Sequence, residues 1–138
     1  SSNFSFGVNI FFKVNKYLSY LMNKYDSPYS ISVEETHHNE KLDSPSGTAL
    51  TLANDIIDKN NSCQGWTKTK KSNNIYMISK RVDKKIGVHN ISFESQFDKI
   101  SIQHEAFSRD AFARGSIIAA KWIKNKKGIF NMDDVFDF

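Results

Sequence analysis

Cysteine, arginine and long hydrophobic stretches are scarce in this sequence of 138 residues. The single cysteine, Cys63, has no second thiol for an internal disulfide and no CxxC partner, so a disulfide-stabilised mini-protein is excluded. A lone thiol is typical of a reducing compartment, and we expect a cytoplasmic protein. No run approaches the roughly 20 apolar residues that span a bilayer, so we expect no membrane helix.

The positive charge comes mostly from lysine. The formal net charge is +4, with three arginines against sixteen lysines. Arginine is the side chain best suited to bidentate phosphate recognition. The abundant residues Lys, Asn and Ile all have AT-rich codons, which explains the basic balance more simply than a polyanionic partner does. We therefore expect no nucleic-acid partner.

The composition is that of one ordinary globular domain, with 39% hydrophobic and 25% charged residues. Apolar periodicity predicts helices over residues 4–24, from about 46 onward, and over 109–125. Alternation predicts strands over 29–35, 75–81, 86–95 and 99–106, the last two joined as a hairpin at 96–98. Segment 60–74 is expected to be a loop, and the tail from 129 to 138 is short and mixed. This order predicts a single α+β domain over residues 1–138, an open mixed sheet of about four strands covered by helices on one face.

The densest polar stretch runs from Glu34 to Leu50, between the end of a predicted strand and the start of a predicted helix. Ser46-Gly47-Thr48 opens that helix, where unpaired backbone N–H groups and the helix dipole favour an anion. Lys41 precedes it in the loop and brings an ammonium group to the same place. This combination predicts a site for a small carboxylate.

Two adjacent histidines, His37 and His38, stand at the end of the strand. Neighbouring side chains in extended structure point in opposite directions, so one can act as a general acid while the other holds a substrate. Taken singly, these residues also fit a helix N-cap, a solvated lysine and structural histidines. Their concentration within residues 37–48 favours a site.

Three further polar residues, Arg109, His89 and His104, lie outside this stretch. Arg109 begins the third helix, where it either caps that helix with Asp110 or approaches a second carboxylate. His89 and His104 share strand faces with apolar residues, which favours structural roles. The histidines match no zinc-site spacing, so we expect no metal.

The segment HHNEKLDSPSGTAL, residues 37–50, resembles the signature of the 4-hydroxy-tetrahydrodipicolinate reductase (dihydrodipicolinate reductase) family. Gly87 with His89 resembles the family's Gly-x-His strand, and segment 104–115 resembles its final strand and helix. The resemblance covers essentially the whole chain. It implies a C-terminal substrate-binding domain whose sheet builds a homotetramer.

The resemblance also implies an activity, the NAD(P)H-dependent reduction of 4-hydroxy-tetrahydrodipicolinate to tetrahydrodipicolinate in lysine and diaminopimelate biosynthesis. Hydride goes to the cyclic dicarboxylate and a proton to a neighbouring carbon. The implied catalytic residues are the acid/base His37 and the cationic proton donor Lys41. The residues implied for substrate binding are His38, Ser46, Gly47 and Thr48. Arg109 is added to them as a candidate. Those implied to lie against the nicotinamide of NADPH or NADH are Ser1, Ser2, Asn3 and Phe4.

The family also has an N-terminal Rossmann half with a glycine-rich turn, whereas the six glycines here form no GxGxxG. We therefore expect a piece of a longer protein that binds cofactor poorly and is inactive alone. The same lack leaves an alternative open, a stand-alone carboxylate-binding or oligomerisation module without catalysis. At Asp83, where the family often has Gly, and at Val88, where it often has an acidic residue, this sequence departs from the family pattern. The role of the loop from Arg81 to His89 is therefore left open.

Overall fold

The computed structural model describes residues 3–24 and 29–137. In chain order the elements are α1 (Phe6–Met22), β1 (Ser30–His37), α2 (Gly47–Lys59), β2 (Gly65–Thr67), β3 (Asn74–Arg81), β4 (Gly87–Glu94), β5 (Lys99–Ala106), α3 (Asp110–Ile123) and α4 (Met132–Phe136). The predicted α+β class is confirmed. The break predicted at residues 26–28 lies outside the described residues.

The five strands form one mixed sheet in the order β2-β3-β1-β4-β5. β1 is central, because it pairs parallel with β3 and antiparallel with β4. β4 and β5 form the predicted hairpin, and the side chain of Ser95 accepts the backbone N–H groups of Phe97 and Asp98 in its turn. This order places the end of β1 beside the start of β4 and the end of β5.

Helices α1 and α2 cover one face of the sheet. The core between them contains Phe11, Ile31, Val33, Ala49, Leu52, Ala53, Ile56, Cys63, Ile75, Met77, Ile91 and Phe93. Burial of these side chains is the main stabilising term of the domain. The opposite face carries polar side chains together with the partly buried Tyr76 and Ile78 along an open depression of about 540 Å³.

Two short elements were not expected from the sequence. β2 lies inside the segment predicted to be a loop, and its three residues are too few to show alternation. It pairs with the edge of β3 and makes the sheet five-stranded. α4 lies in the mixed tail, where Asn131 and Asp134 form a reciprocal capping box.

The third helix is less buried than its apolar stripe predicts. Phe112, Ala119 and Trp122 are partly buried, whereas Ser116 and Ile123 are exposed. The reason is that α3 packs against α1 and α4, at the margin of the domain. The helix is fully buried at Gly115, where a Cβ atom would lie 1.8 Å from the carbonyl oxygen of Phe4. The segment before α1 therefore rests directly on the backbone of α3.

Among the described residues, none of the helices is both long and apolar enough to cross a membrane.

Candidate active site

The carboxyl end of β1 and the N-terminus of α2 border an open cavity of about 690 Å³. The start of β4 and the end of β5 complete its wall. The predicted site residues that line it are Asn3, His37, His38, Lys41, Ser46, Gly47, Thr48 and Arg109. The structure thus brings together residues that are separated by more than a hundred positions in the sequence.

The predicted cofactor segment reaches this cavity only in part. Asn3 lines it, whereas Phe4 lies in a separate apolar cavity with Trp122 and Phe130. Ser1 and Ser2 lie outside the described residues. Arg109 precedes α3, makes no capping side-chain bond and is exposed beside the cavity. The contact of residues 1–4 with a nicotinamide stays a prediction.

The N-terminus of α2 is open to the cavity. The Ser46 hydroxyl accepts the backbone N–H of Ala49 at 3.2 Å, which makes Ser46 the N-cap. Apart from Gly47 itself, its chain neighbours and its own helix backbone, no atom of the described residues lies within 4 Å of the position that a Cβ on Gly47 would take. A ligand anion can therefore approach the backbone at the positive end of the helix dipole.

A fully buried carboxylate, Glu35, lies behind this helix terminus. Both of its oxygens lie 3.1 Å from the backbone nitrogen of Ser46, which donates to them. The Ser79 hydroxyl also donates to its Oε1 at 2.8 Å. Sequence analysis assigned Glu35 no role, although the alternation that buries Ile31 and Val33 continues to position 35 and puts this carboxylate on the apolar face.

Two buried histidines flank Glu35. Nδ1 of His37 lies 3.6 Å, and Nε2 of His89 lies 3.8 Å, from the same carboxylate oxygen. The two rings meet edge to face at 5.0 Å. His89 is also 3.2 Å from the Ser46 hydroxyl. The sequence favoured a structural role for His89. In the structure His89 also lines the cavity, so it is a residue of the candidate site as well.

Burial lowers the pKa of both histidines. The pKa of His89 falls to about 4 because the ring is buried. The neighbouring His37 lowers this pKa further, whereas Glu35 opposes the change. For His37, burial lowers the pKa and Glu35 opposes the change, while Lys41 and Arg81 lower the pKa further. Both rings are therefore mainly neutral at neutral pH in the chain without ligand.

Arg81 anchors the loop that carries Lys41. Its guanidinium donates to the backbone carbonyls of Lys41 at 3.2 Å and Asp43 at 2.7 Å. The ammonium of Lys41 meanwhile donates to Asp43 Oδ1 at 2.6 Å. Sequence analysis did not select Arg81, since its contact with this loop depends on the pairing of β3 with β1.

Glu35, His37 and His89 form a group whose candidate ligand atoms lie within 4.8 Å of one another. A carboxylate with two imidazoles is a known kind of metal-ligand set. Here, however, Glu35 already accepts from Ser46 and Ser79, and the ring of His89 bonds with Ser46. The hydrogen bonds account for two members of the group without an ion, and the expectation of no metal stays a prediction.

A family model described as "Dihydrodipicolinate reductase, C-terminus" matches residues 7–136. A protein of Christiangramia forsetii named 4-hydroxy-tetrahydrodipicolinate reductase is 46% identical over 136 residues, covering 98% of this chain and 56% of that protein. A protein of the same name from Buchnera aphidicola is 38% identical, covering 98% and 52%. The chain thus spans about half the length of the curated relatives that it matches.

A solved structure has a similar fold. It is a dipicolinate-bound dihydrodipicolinate reductase from a Paenisporosarcina species, with a TM-score of 0.72 and 23% sequence identity. The match covers 96% of this chain and 52% of the other. It supports the arrangement of helices and strands described above.

The lowered pKa of His89 predicts that acid destabilises the domain. His89 takes up its proton near pH 6.5 when unfolded and near pH 4 when folded, so the unfolded state binds more protons between these values. We expect this residue to reduce the free energy of unfolding by up to roughly 3 kcal/mol as the pH falls from about 7 to about 4. Urea denaturation across this range measures the loss.

The matched variant is His89→Gln, which keeps a hydrogen-bonding group near Ser46 but does not titrate. Its free energy of unfolding is expected to fall less steeply with pH than that of the unmodified chain. Equal slopes for the two proteins would contradict this assignment.

Proposed function

The chain belongs to the family of dihydrodipicolinate reductase C-terminal domains, and we propose that it is the substrate-binding, proton-donating part of a two-domain reductase. The proposed reaction is the reduction of 4-hydroxy-tetrahydrodipicolinate to tetrahydrodipicolinate in lysine and diaminopimelate biosynthesis. The observation that carries the proposal is the convergence of His37, Lys41 and the N-terminus of α2 on one cavity.

The cavity offers two places for a carboxylate. The ammonium of Lys41 and the N-terminus of α2 suit one of them, since a cation and the positive end of a helix dipole favour the same anion. Arg109, which precedes α3 and also lines the cavity, suits the second place. A dicarboxylate matches this arrangement, and the dipicolinate held by the related solved protein is of the same class.

His37 is proposed to hold the proton that the reaction consumes. Burial disfavours its charged form in the chain without ligand. Two substrate carboxylates arriving in the cavity favour the charged form, because opposite charges at short range raise the pKa of an imidazole. Substrate binding thus prepares the acid, and Lys41 is the second proposed cationic proton donor.

The proposed cofactor, NADPH or NADH, supplies the hydride when bound. In this chain Asn3 lines the cavity and is proposed to meet the nicotinamide end. Phosphate binding is proposed to belong to a Rossmann domain outside this sequence, a proposal consistent with the lack of a GxGxxG motif here. The isolated chain is accordingly proposed to be inactive.

The open sheet face is proposed to pack against other copies of the chain in a homotetramer. The aromatic ring of Tyr76 and the side chain of Ile78 support this proposal, since both are partly buried apolar groups on the face that α1 and α2 leave uncovered. A cytoplasmic location belongs to the same proposal, and the single unpaired, buried thiol of Cys63 is consistent with it.

Replacing Lys41 tests carboxylate recognition. We expect Lys41→Ala to weaken the binding of pyridine-2,6-dicarboxylate about 10- to 100-fold, because a hydrogen bond to a charged group contributes roughly 1.5–3 kcal/mol. Titration calorimetry on the chain measures this affinity. Lys59→Ala is the matched control, because Lys59 lies at the other end of α2 with Asp58 as its partner. Unchanged binding by Lys41→Ala would remove Lys41 from the site.

Replacing His37 tests the proton donor. In a chimera joining this chain to the remaining part of the Christiangramia relative, we expect His37→Gln to lower kcat by about 10²- to 10⁴-fold, the usual contribution of a general acid. KM should change much less, as steady-state kinetics will show. The binding of pyridine-2,6-dicarboxylate by the same variant controls for an intact cavity. A raised KM with unchanged kcat would contradict the assignment, and an inactive unmodified chimera that still binds the dicarboxylate would favour the stand-alone module.

Replacing Ile78 tests the proposed assembly. A buried carboxylate without a partner is strongly unfavourable at an interface, so Ile78→Glu should convert the tetramer to smaller species. Sedimentation velocity measures the change. Ile117→Glu is the control, since Ile117 is an exposed apolar residue on α3. Equal sedimentation of the unmodified chain and Ile78→Glu would exclude this face as the interface.

A further inference from the structure

We propose that Glu35 is a positioning residue of this site, which holds the N-terminus of α2 and the ring of His37 in one fixed arrangement. The proposal rests on the proposed function of the cavity. Glu35 itself is fully buried and does not line the cavity, so it acts through the groups that do.

The link to α2 is direct. Both carboxylate oxygens of Glu35 receive the backbone N–H of Ser46, the N-cap residue, at 3.1 Å. This bond ties the start of α2 to the central strand β1. An anion bound at the helix terminus therefore meets backbone groups whose position is already determined, which reduces the ordering cost of binding.

The link to His37 is by orientation. Nδ1 of His37 is buried and, among the residues that the structure describes, has no hydrogen-bond partner within 3.5 Å; the carboxylate of Glu35 lies just beyond that distance at 3.6 Å. On the other edge of the ring, Nε2 lies near Gly87, where an added Cβ would stand 3.3 Å away. A carboxylate on the Nδ1 side favours the tautomer with its proton on Nδ1, which leaves Nε2 to exchange a proton.

Other charges surround the same ring. His89 from β4 and Arg81 from β3 face it, and the loop before α2 contributes Lys41 and Asp43. The two cations disfavour a proton on His37, whereas Glu35 and Asp43 favour it. Of the two carboxylates, Glu35 is fully buried and Asp43 is solvent-exposed and paired with Lys41. Glu35 is thus the fixed negative charge of the group.

The test is Glu35→Gln, which preserves size and one acceptor oxygen but removes the charge. Glu34→Gln is the matched control, because it removes the same charge one residue away on the opposite face of β1, where Glu34 pairs with Lys80. Nitrogen-15 NMR of the histidine rings gives the pKa of His37, and calorimetry gives the affinity for pyridine-2,6-dicarboxylate.

We expect Glu35→Gln to lower the pKa of His37 and to weaken dicarboxylate binding about tenfold, the effect of losing one charge-assisted contact. Glu34→Gln should change neither. A purely structural role would reduce the free energy of unfolding and leave the pKa of His37 in the folded protein in place. That result, or equal effects of the two variants, would overturn the proposal.

The unmodified chain provides a second test if Glu35→Gln does not fold. Its nitrogen-15 shifts report which ring nitrogen of neutral His37 carries the proton, and we expect Nδ1. A proton on Nε2 would overturn the proposal. Failure of the proposed function is distinguishable, since the unmodified chain would then not bind the dicarboxylate at all.

Discussion

A carboxylate removed from solvent is stable only where fixed donors satisfy it, and Glu35 draws its donors from separate parts of the chain. Ser46 contributes a backbone N–H from the start of α2, and Ser79 contributes a hydroxyl from β3. The guanidinium of Arg81 lies 3.9 Å away as the compensating cation. Because β1 is the central strand, this one group couples the middle of the sheet to the helix terminus on which the candidate site is built.

How much of this arrangement is predictable depends on distance along the chain. Residues 37–48 form one contiguous motif, so their density was visible in the sequence, and most of them line one cavity in the structure. Glu35, Arg81 and His89 come together only through strand register, which pairs His37 with Arg81 and Glu35 with His89. Alternation along β1 is consistent with the buried face of Glu35, but it does not indicate which strands lie beside it. β2 and α4 are too short to have a detectable period.

The two faces of the central strand divide the work of the domain. On one face, Ile31 and Val33 enter the core, and Glu35 and His37 continue the same row into the candidate site. On the other, Ser30, Ser32 and Glu34 belong to the uncovered face. A single strand thus connects core packing, the proposed chemistry and the proposed assembly. A slip of one residue in its register would move every side chain to the opposite face and disrupt all three.

Under the proposed function, the ion pair between Lys41 and Asp43 makes ligand recognition an exchange reaction. The ammonium of Lys41 already contacts the carboxylate of Asp43, in its own loop, at 2.6 Å. An incoming ligand carboxylate therefore takes the place of the Asp43 carboxylate. Asp43 is solvent-exposed, and an exposed ion pair contributes only about 0–1 kcal/mol, so its release costs the incoming ligand little. Under the proposed function, the contact of Lys41 with a substrate carboxylate therefore remains a net gain in binding free energy. In that proposed role, Asp43 keeps the ammonium of Lys41 neutralised and in place until a substrate carboxylate takes over the contact.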